Sequence, residues 1–400
     1  MAVAPGSTRM PRPFRMAAVL GAAMVLLMAD PRAQDGTVVD ATALKARIEG
    51  ALKARIEGAL AAAPRNLERL LAPRQAGVRV NDVRVLESSP AALRVSIDLS
   101  QRALTYEPSG NVEPLLDAII QASASAIGPT PIVDYRFTID GLPLDQLLPR
   151  ASAQTSRPAR SPADGGVILV SPGHGLYWDE ALGTWHLQRP RVRGIVEDLV
   201  NWDIARYLQD ELIAANINAQ LARYPERDAN AGPSGNARWQ EGAKYFMQML
   251  GAPEEIWNYG VDDYARDINA RPFYANWIDA AAVIAIHNNG GEETGTETWY
   301  DATNGYQGES GRLAEIVNRH VVSAIRERYN ANWVDRGLRT CDGCKGENRL
   351  ASRPAVIVEI AYMDTAMPDN DALHDEAFKR LVAQALHRAI QEWGASGLTR

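Results

Sequence analysis

Three polar residues follow or close short apolar runs in this 400-residue chain. His174 comes after Val167-Ile168-Leu169-Val170 by way of Ser171-Pro172-Gly173; His287 closes Val283-Ile284-Ala285-Ile286; Glu359 closes Ala355-Val356-Ile357-Val358. Two imidazoles and a carboxylate are the protein ligands expected of a catalytic zinc ion, with water in the fourth position. Zinc brings the pKa of that water to about 7 and polarises the carbonyl under attack. A second carboxylate must take the water's proton and deliver it to the leaving amine. The acids on offer are Glu197 or Asp198, which open a helix, and Glu359. One should bind metal and the other move protons, and the pattern alone does not assign them.

Each residue also has an ordinary reading. A histidine after a strand is more often structural than a ligand, and an acid opening a helix is favoured by the helix dipole. Gly173 and Gly175, on either side of His174, add weight, because glycine permits close backbone approach. Glu359 is the sharpest feature, since a carboxylate inside an apolar strand is costly to bury unless paired or functional. Four such residues together count for more than any one alone.

The elements that position them read as α/β. The three apolar runs are rich in β-branched residues, as expected of parallel strands buried on both faces. Amphipathic helices lie between and after them: 196–214 with Val196, Val200, Ile204, Leu208 and Leu212, 311–328 with Leu313, Ile316, Val317, Val321 and Ile325, and a last one near 373–393. Residues 166–400 are thus expected to form a mainly parallel sheet flanked by helices, with the site beyond the carboxyl ends of the strands.

A small α+β domain is expected over 76–149. Leu93–Leu99 and Tyr135–Ile139 alternate as half-buried strands, 112–127 has helical spacing, and Asp140-Gly141 marks a turn. Residues 150–165, rich in Ser and Pro, read as a linker. Residues 34–75 read as a helical leader. It holds a tandem octapeptide, Ala-Leu-Lys-Ala-Arg-Ile-Glu-Gly, at 43–50 and 51–58. Its eight-residue period fits neither a 3.5- nor a 3.6-residue helical repeat, so it reads as a duplication and not a coiled-coil seam. Residues 1–33 read as an export signal, with Arg9, Arg12 and Arg15 before an apolar stretch from Met16 to Ala29. Export places the chain in the periplasm or cell envelope.

Composition excludes some classes. A net charge of −7 argues against nucleic acid as the main partner. No later run approaches ~18 apolar residues, so no membrane span is expected in the mature chain. The only cysteines, Cys341 and Cys344, are expected to form a local disulfide in an oxidising compartment; two thiolates alone cannot make a four-ligand zinc site. His186, His320, His374 and His387 are not expected to be ligands. Aromatic residues crowd 176–193 and 224–270, either to stack on or gate a substrate or to pack as a small core of their own.

Four segments in order carry a family resemblance: Val167–Gly175, the Glu197-Asp198-Leu199-Val200-Asn201 helix start, Arg271 with Ala275-Asn276 leading to Val283–His287, and Arg336-Gly337-Leu338 with Arg353–Ile360. Residues 166–395 resemble the zinc-dependent N-acetylmuramoyl-L-alanine amidases, which strip stem peptides from peptidoglycan. The resemblance implies one Zn²⁺ held by His174, Glu197 and His287, selects Glu197 over Asp198, and makes Glu359 the general base. Ser171, Asn201 and Asn288 stand beside these ligands and are expected to orient them. The sequence departs from the family where Ser171 replaces the usual Asp, Leu176 replaces a Gly, and Asn288-Asn289-Gly290 follows His287. The implied reaction is hydrolysis of the amide between the muramoyl lactyl group and L-alanine. A zinc peptidase on wall peptides and a non-enzymatic wall-binding or regulatory module on the same fold are the rivals. Within 76–149, the runs "LRVSIDLS", "VEPLLDAIIQA" and "VDYRFTIDG" resemble GerM-type domains, which implies an envelope role and an envelope protein as a partner of that domain.

Overall fold

The alternation of apolar side chains along the strands decides which helices cover which face of the sheet. A computed structural model of the chain describes residues 41–62, 78–89, 91–103, 112–150, 162 and 165–396. The expected export signal and nearly all of the expected linker lie outside the described residues.

In chain order the elements are α1 (Ala41–Ala62), β1 (Val80–Ser88), β2 (Ala92–Leu99), α2 (Glu113–Ile127), β3 (Ile132–Ile139), β4 (Leu142–Pro143), β5 (Ile168–Pro172), β6 (Leu176–Asp179), β7 (Thr184–Leu187), β8 (Arg191–Val192) and β9 (Ile195–Val196). They continue with α3 (Glu197–Ala214), β10 (Ala219–Leu221), α4 (Ala243–Met249), α5 (Asp263–Trp277), β11 (Ala282–Asn289), β12 (Thr296–Asp301), α6 (Gln307–Arg328), β13 (Asp335–Cys341), β14 (Ala355–Tyr362) and α7 (Glu376–Ala395). One sheet runs β1-β2-β3-β13-β12-β14-β11-β5-β10, with β4 on β3. It is mostly parallel; β1 against β2, β4 against β3 and β12 against β14 are antiparallel.

Along β5, β11 and β14, Ile168, Val170, Ile284, Ile286, Val356 and Val358 pack under α3, α6 and α7. The alternate residues face the other way. Leu169, Val283 and Ala355 meet α4 and α5, while Ala285 and Ile357 meet α2. His287 and Glu359 share the parity of Ala285 and Ile357, so they emerge on the α2/α5 side.

Both residues were expected at strand ends. Instead β11 continues to Asn289 and β14 to Tyr362, with His287 and Glu359 as register partners inside the ladder. They therefore stand on a sheet face and not on loops beyond it. The last helix starts at Glu376, capped by Asp375, whose side chain accepts from the Ala377 amide.

The expected small domain contributes its strands to this same sheet. β3 pairs in parallel with β13, from Ile132 against Leu338 to Tyr135 against Cys341. Across the seam Tyr135 stacks on Trp299 at 5.8 Å, and Trp299 is 1% exposed. Within α1, Leu52 and Ile56 of the second octapeptide copy are buried, and the Glu49 carboxylate accepts from the Val85 amide on edge strand β1 at 2.8 Å. Cys341 and Cys344 form the expected disulfide, closing the turn that leaves β13.

A shared sheet predicts a shared unfolding event. Calorimetry of the full chain should show one transition spanning both segments. Trp299→Ala should lower its stability by about 3–5 kcal/mol; a chain that melts in two separate steps would show that the seam does not couple them.

Candidate active site

The loop after β5 is shaped by its glycines. A Cβ on Gly173 would lie 2.3 Å from the His287 ring, so only glycine lets the loop cross that imidazole. Gly175 has φ +138° and passes close to the Gly242 backbone. Between them His174 takes φ +65°, which turns its ring toward the start of α3.

Three atoms converge there. His174 Nε2 lies 3.1 Å from Glu197 Oε1, His287 Nδ1 lies 3.3 Å from that same oxygen, and the two ring nitrogens are 3.2 Å apart. All three residues are buried. Bonds of about 2.0–2.1 Å at tetrahedral angles put neighbouring ligand atoms about 3.3–3.4 Å apart, so this triangle fits one face of a zinc tetrahedron. Its electrostatics also suit a cation. Burial, with Arg189 nearby, pushes His174 down to about 4, leaving it neutral with a lone pair to give. Burial opposes charging His287 too, yet Glu347 and Glu197 beside it carry its pKa up to about 10.

The choice between Glu197 and Asp198 has a structural reason. Asp198 is committed to the backbone, accepting from the amides of Gly175 at 2.9 Å, Gln188 at 2.8 Å and Arg189 at 3.1 Å. Glu197 faces the histidines and is steadied from behind. Asn201 Nδ2 donates to its Oε1 at 3.2 Å, the Asn288 amide donates to the same atom at 3.1 Å, and the Asn288 side chain donates to Asn201 at 2.8 Å. Ser171 does not join in: its Oγ is buried without a hydrogen-bond partner.

The outer nitrogens of both imidazoles meet a single chain of buried groups. His174 Nδ1 lies 3.0 Å from Gln188 Oε1, and Gln188 Nε2 donates to Asp267 at 2.7 Å. Asp267 pairs with Arg271, Arg271 with Glu347, and Glu347 Oε1 lies 3.5 Å from His287 Nε2. Such partners set tautomer and ring orientation. Arg271 belonged to a motif seen in the sequence; Gln188, Asp267 and Glu347 gave no signal there.

Glu359 stands beside His287 and opposite Glu297 of β12. Burial pushes its carboxyl up to about 7, against the pull of His287 and Lys345. Glu297 was also missed, though it sits in the alternating run Thr296–Asp301. It is held ionised, in spite of its burial, by Arg339 at 3.3 Å and Arg336 at 3.4 Å.

These groups line one cavity of about 230 Å³. Its far wall is α2, which contributes Glu113, Asp117 and Gln121. The aromatic segments pair mostly with one another: Trp178 with Trp185, Trp185 with Tyr245, and Tyr224 with Phe246. Tyr264, packed on Tyr177, is the one among them that lines the cavity. The remaining histidines stay apart, with His320 on Glu392, His374 on the Arg193 carbonyl and His387 near Glu211; His186 lies in β7.

Removing the ring's outer partner isolates its contribution. Gln188→Leu should weaken zinc binding by about 10–100-fold, read by chelator competition, while far-ultraviolet circular dichroism stays unchanged. Unaltered zinc affinity would show that His174 needs no such support.

Comparison with known proteins identifies a family. The family model for N-acetylmuramoyl-L-alanine amidase matches residues 168–392. Among solved structures, the amidase AmiC2 of Nostoc punctiforme is 20% identical, over 57% of this chain and 97% of that one, with a TM-score of 0.39. The catalytic domain of the amidase CwlV from Bacillus (Paenibacillus) polymyxa var. colistinus is 19% identical over 57% and 97%, TM-score 0.39. Ami1 of Mycobacterium smegmatis is 17% identical over 58% and 98%, TM-score 0.41. No curated protein matches the chain significantly. The matched segment is more than half of the 400 residues, and the chain belongs to the N-acetylmuramoyl-L-alanine amidase family.

Proposed function

We propose that the protein is a zinc-dependent N-acetylmuramoyl-L-alanine amidase of the cell envelope, cutting the amide that joins the muramoyl lactyl group to L-alanine in peptidoglycan. The observation that carries this reading is that a His-Glu-His triangle of zinc dimensions and an independent buried carboxylate share one cavity. His174, Glu197 and His287 would hold the ion, which supplies Lewis-acid polarisation of the carbonyl and acidification of water.

The chain's own groups do the rest. Gln188 keeps the inner nitrogen of His174 turned toward the triangle, and the Glu347 charge lies 3.5 Å from the outer nitrogen of His287. Glu359 takes the proton of the attacking water as the new C–O bond forms, then passes it to the amine as the C–N bond breaks. A raised pKa suits it to both tasks, because a carboxyl near neutrality releases a proton as readily as it accepts one. Burial beside α2 keeps bulk water from competing.

Incubating purified peptidoglycan with the zinc-loaded full chain should release peptides whose first residue is L-alanine. Glu359→Gln should lower that release by at least about 100-fold while zinc binding persists; release of peptides cut between amino acids would point to a peptidase instead. The base works unprotonated, so kcat/KM should fall as pH drops through its pKa. Without metal that carboxyl sits at about 7. A dication beside it lowers this, so the acid limb is expected below 7. A limb above 7 would remove Glu359 from the role.

A further inference from the structure

Most of the acids lining the cavity have partners that belong to the framework. Glu347 is paired with Arg271, Glu297 with Arg336 and Arg339, and Glu113 accepts from the Gly346 amide at 2.9 Å. Asp117 on α2 is different. Its Oδ1 accepts from Lys345 Nζ at 2.5 Å, and its Oδ2 lies 3.8 Å from Arg189. One carboxylate thus bridges the two cations that flank the reactive groups. Arg189 Nε lies 3.6 Å from Glu197 Oε2 on the ligand side, and the Lys345 charge acts on Glu359 on the base side. Both cations line the cavity.

The two sides of this bridge come from different parts of the chain. Arg189 and Lys345 lie inside the segment 168–392 that matches the amidase family, and Asp117 lies outside it. Each cation is also held without Asp117. Tyr264 OH accepts from Arg189 at 2.6 Å, and Lys345 Nζ sits 5.0 Å from the centre of the Trp299 ring. The turn that carries Lys345 is fixed by the Cys341–Cys344 disulfide. Two anchored cations either side of the reacting groups, spanned by one carboxylate, form a site of carboxylate dimensions.

We infer that Arg189 and Lys345 form a carboxylate-binding subsite for the departing peptide, and that Asp117 occupies it in the free protein. This rests on the amidase reading and adds which peptides the cleft prefers: those with a free carboxylate on the residue after L-alanine. A carboxamide at that place is neutral and cannot replace Asp117 between two cations. Asp117 then acts as a built-in competitor, which substrate must displace.

The test compares N-acetylmuramoyl-L-alanyl-D-glutamine, whose single carboxylate is the α-carboxylate of the residue after L-alanine, with the same compound carrying a carboxamide in place of that carboxylate, using the zinc-loaded full chain. Wild type should favour the acid. Lys345→Met should lose about tenfold more in kcat/KM on the acid than on the amide. Asp117→Asn should lower KM several-fold more on the acid than on the amide. Far-ultraviolet circular dichroism and zinc binding serve as the folding controls for both variants. Equal treatment of acid and amide by wild type, or an Asp117→Asn effect of the same size on both, would overturn the inference. A second readout does not need cleavage. Titration calorimetry should show L-alanyl-D-glutamate binding Asp117→Asn more tightly than wild type, and equal binding would overturn the subsite even if the amidase reading stands. If neither muramoyl compound nor peptidoglycan is cut, the amidase reading fails, and the calorimetry still decides whether the subsite exists.

Discussion

Two imidazoles and a carboxylate packed within 3.3 Å of one another, shut away from water, are the constraint the rest of the molecule answers to. Nothing about such a cluster is stable by itself, because each group competes for the same protons and none can be hydrated. It persists because charged and polar groups surround it. Asn201 and Asn288 hold Glu197, and Gln188, Asp267, Arg271 and Glu347 run as one line from the back of one imidazole to the back of the other. That line draws residues from the end of β7, from α5 and from the turn after the disulfide. Three separate stretches of chain must therefore be in place before either ring is aimed.

Strand parity then fixes where the chemistry faces. His287, Glu359 and Glu297 stand in one row across β11, β14 and β12. The row opens toward α2 and α5 and away from the face under α3, α6 and α7, where the larger apolar core lies. The consequence is a division of labour between the two faces. One is filled almost wholly by aliphatic side chains, and the other trades part of its core for charged groups that neutralise one another. Because β3 extends the sheet past β13, α2 lies over the reactive row and becomes part of the cleft instead of a neighbour to it.

Much of this was legible in the residues. Apolar runs marked β5, β11 and β14, and helical spacing marked α2, α3, α6 and α7. His174, His287 and Glu359 stood out because polar groups at the ends of such runs need a reason to be there. Other features left no local trace. The joining of β3 to β13 depends on backbone pairing between strands about two hundred residues apart, and no composition or period encodes it. Gln188, Asp267 and Glu347 look like ordinary surface residues in sequence, since their meaning lies in a line completed only in three dimensions. Asp198 is instructive in another way. It stands next to Glu197 with the same charge, and only its three backbone amides show why it turns away from the histidines. The aromatic segments, open to two readings in sequence, largely pack on themselves.

The order of strands in the sheet also says something about how the chain reaches this state. Arg136 on β3 meets Asp342 just past β13, 206 positions further on. Contacts of that separation carry a larger loop-closure cost than local ones and belong late in assembly. β1, β2 and α2 can gather early, because their partners are close in sequence. β3 then has β2 on one side, and on the other its Ile132–Tyr135 stretch, beyond the short pairing with β4, has no partner until β13 arrives. In that interval its free edge is a template for any other extended strand, so the step that completes the cleft wall is also the one in which the chain is most exposed to pairing with the wrong partner.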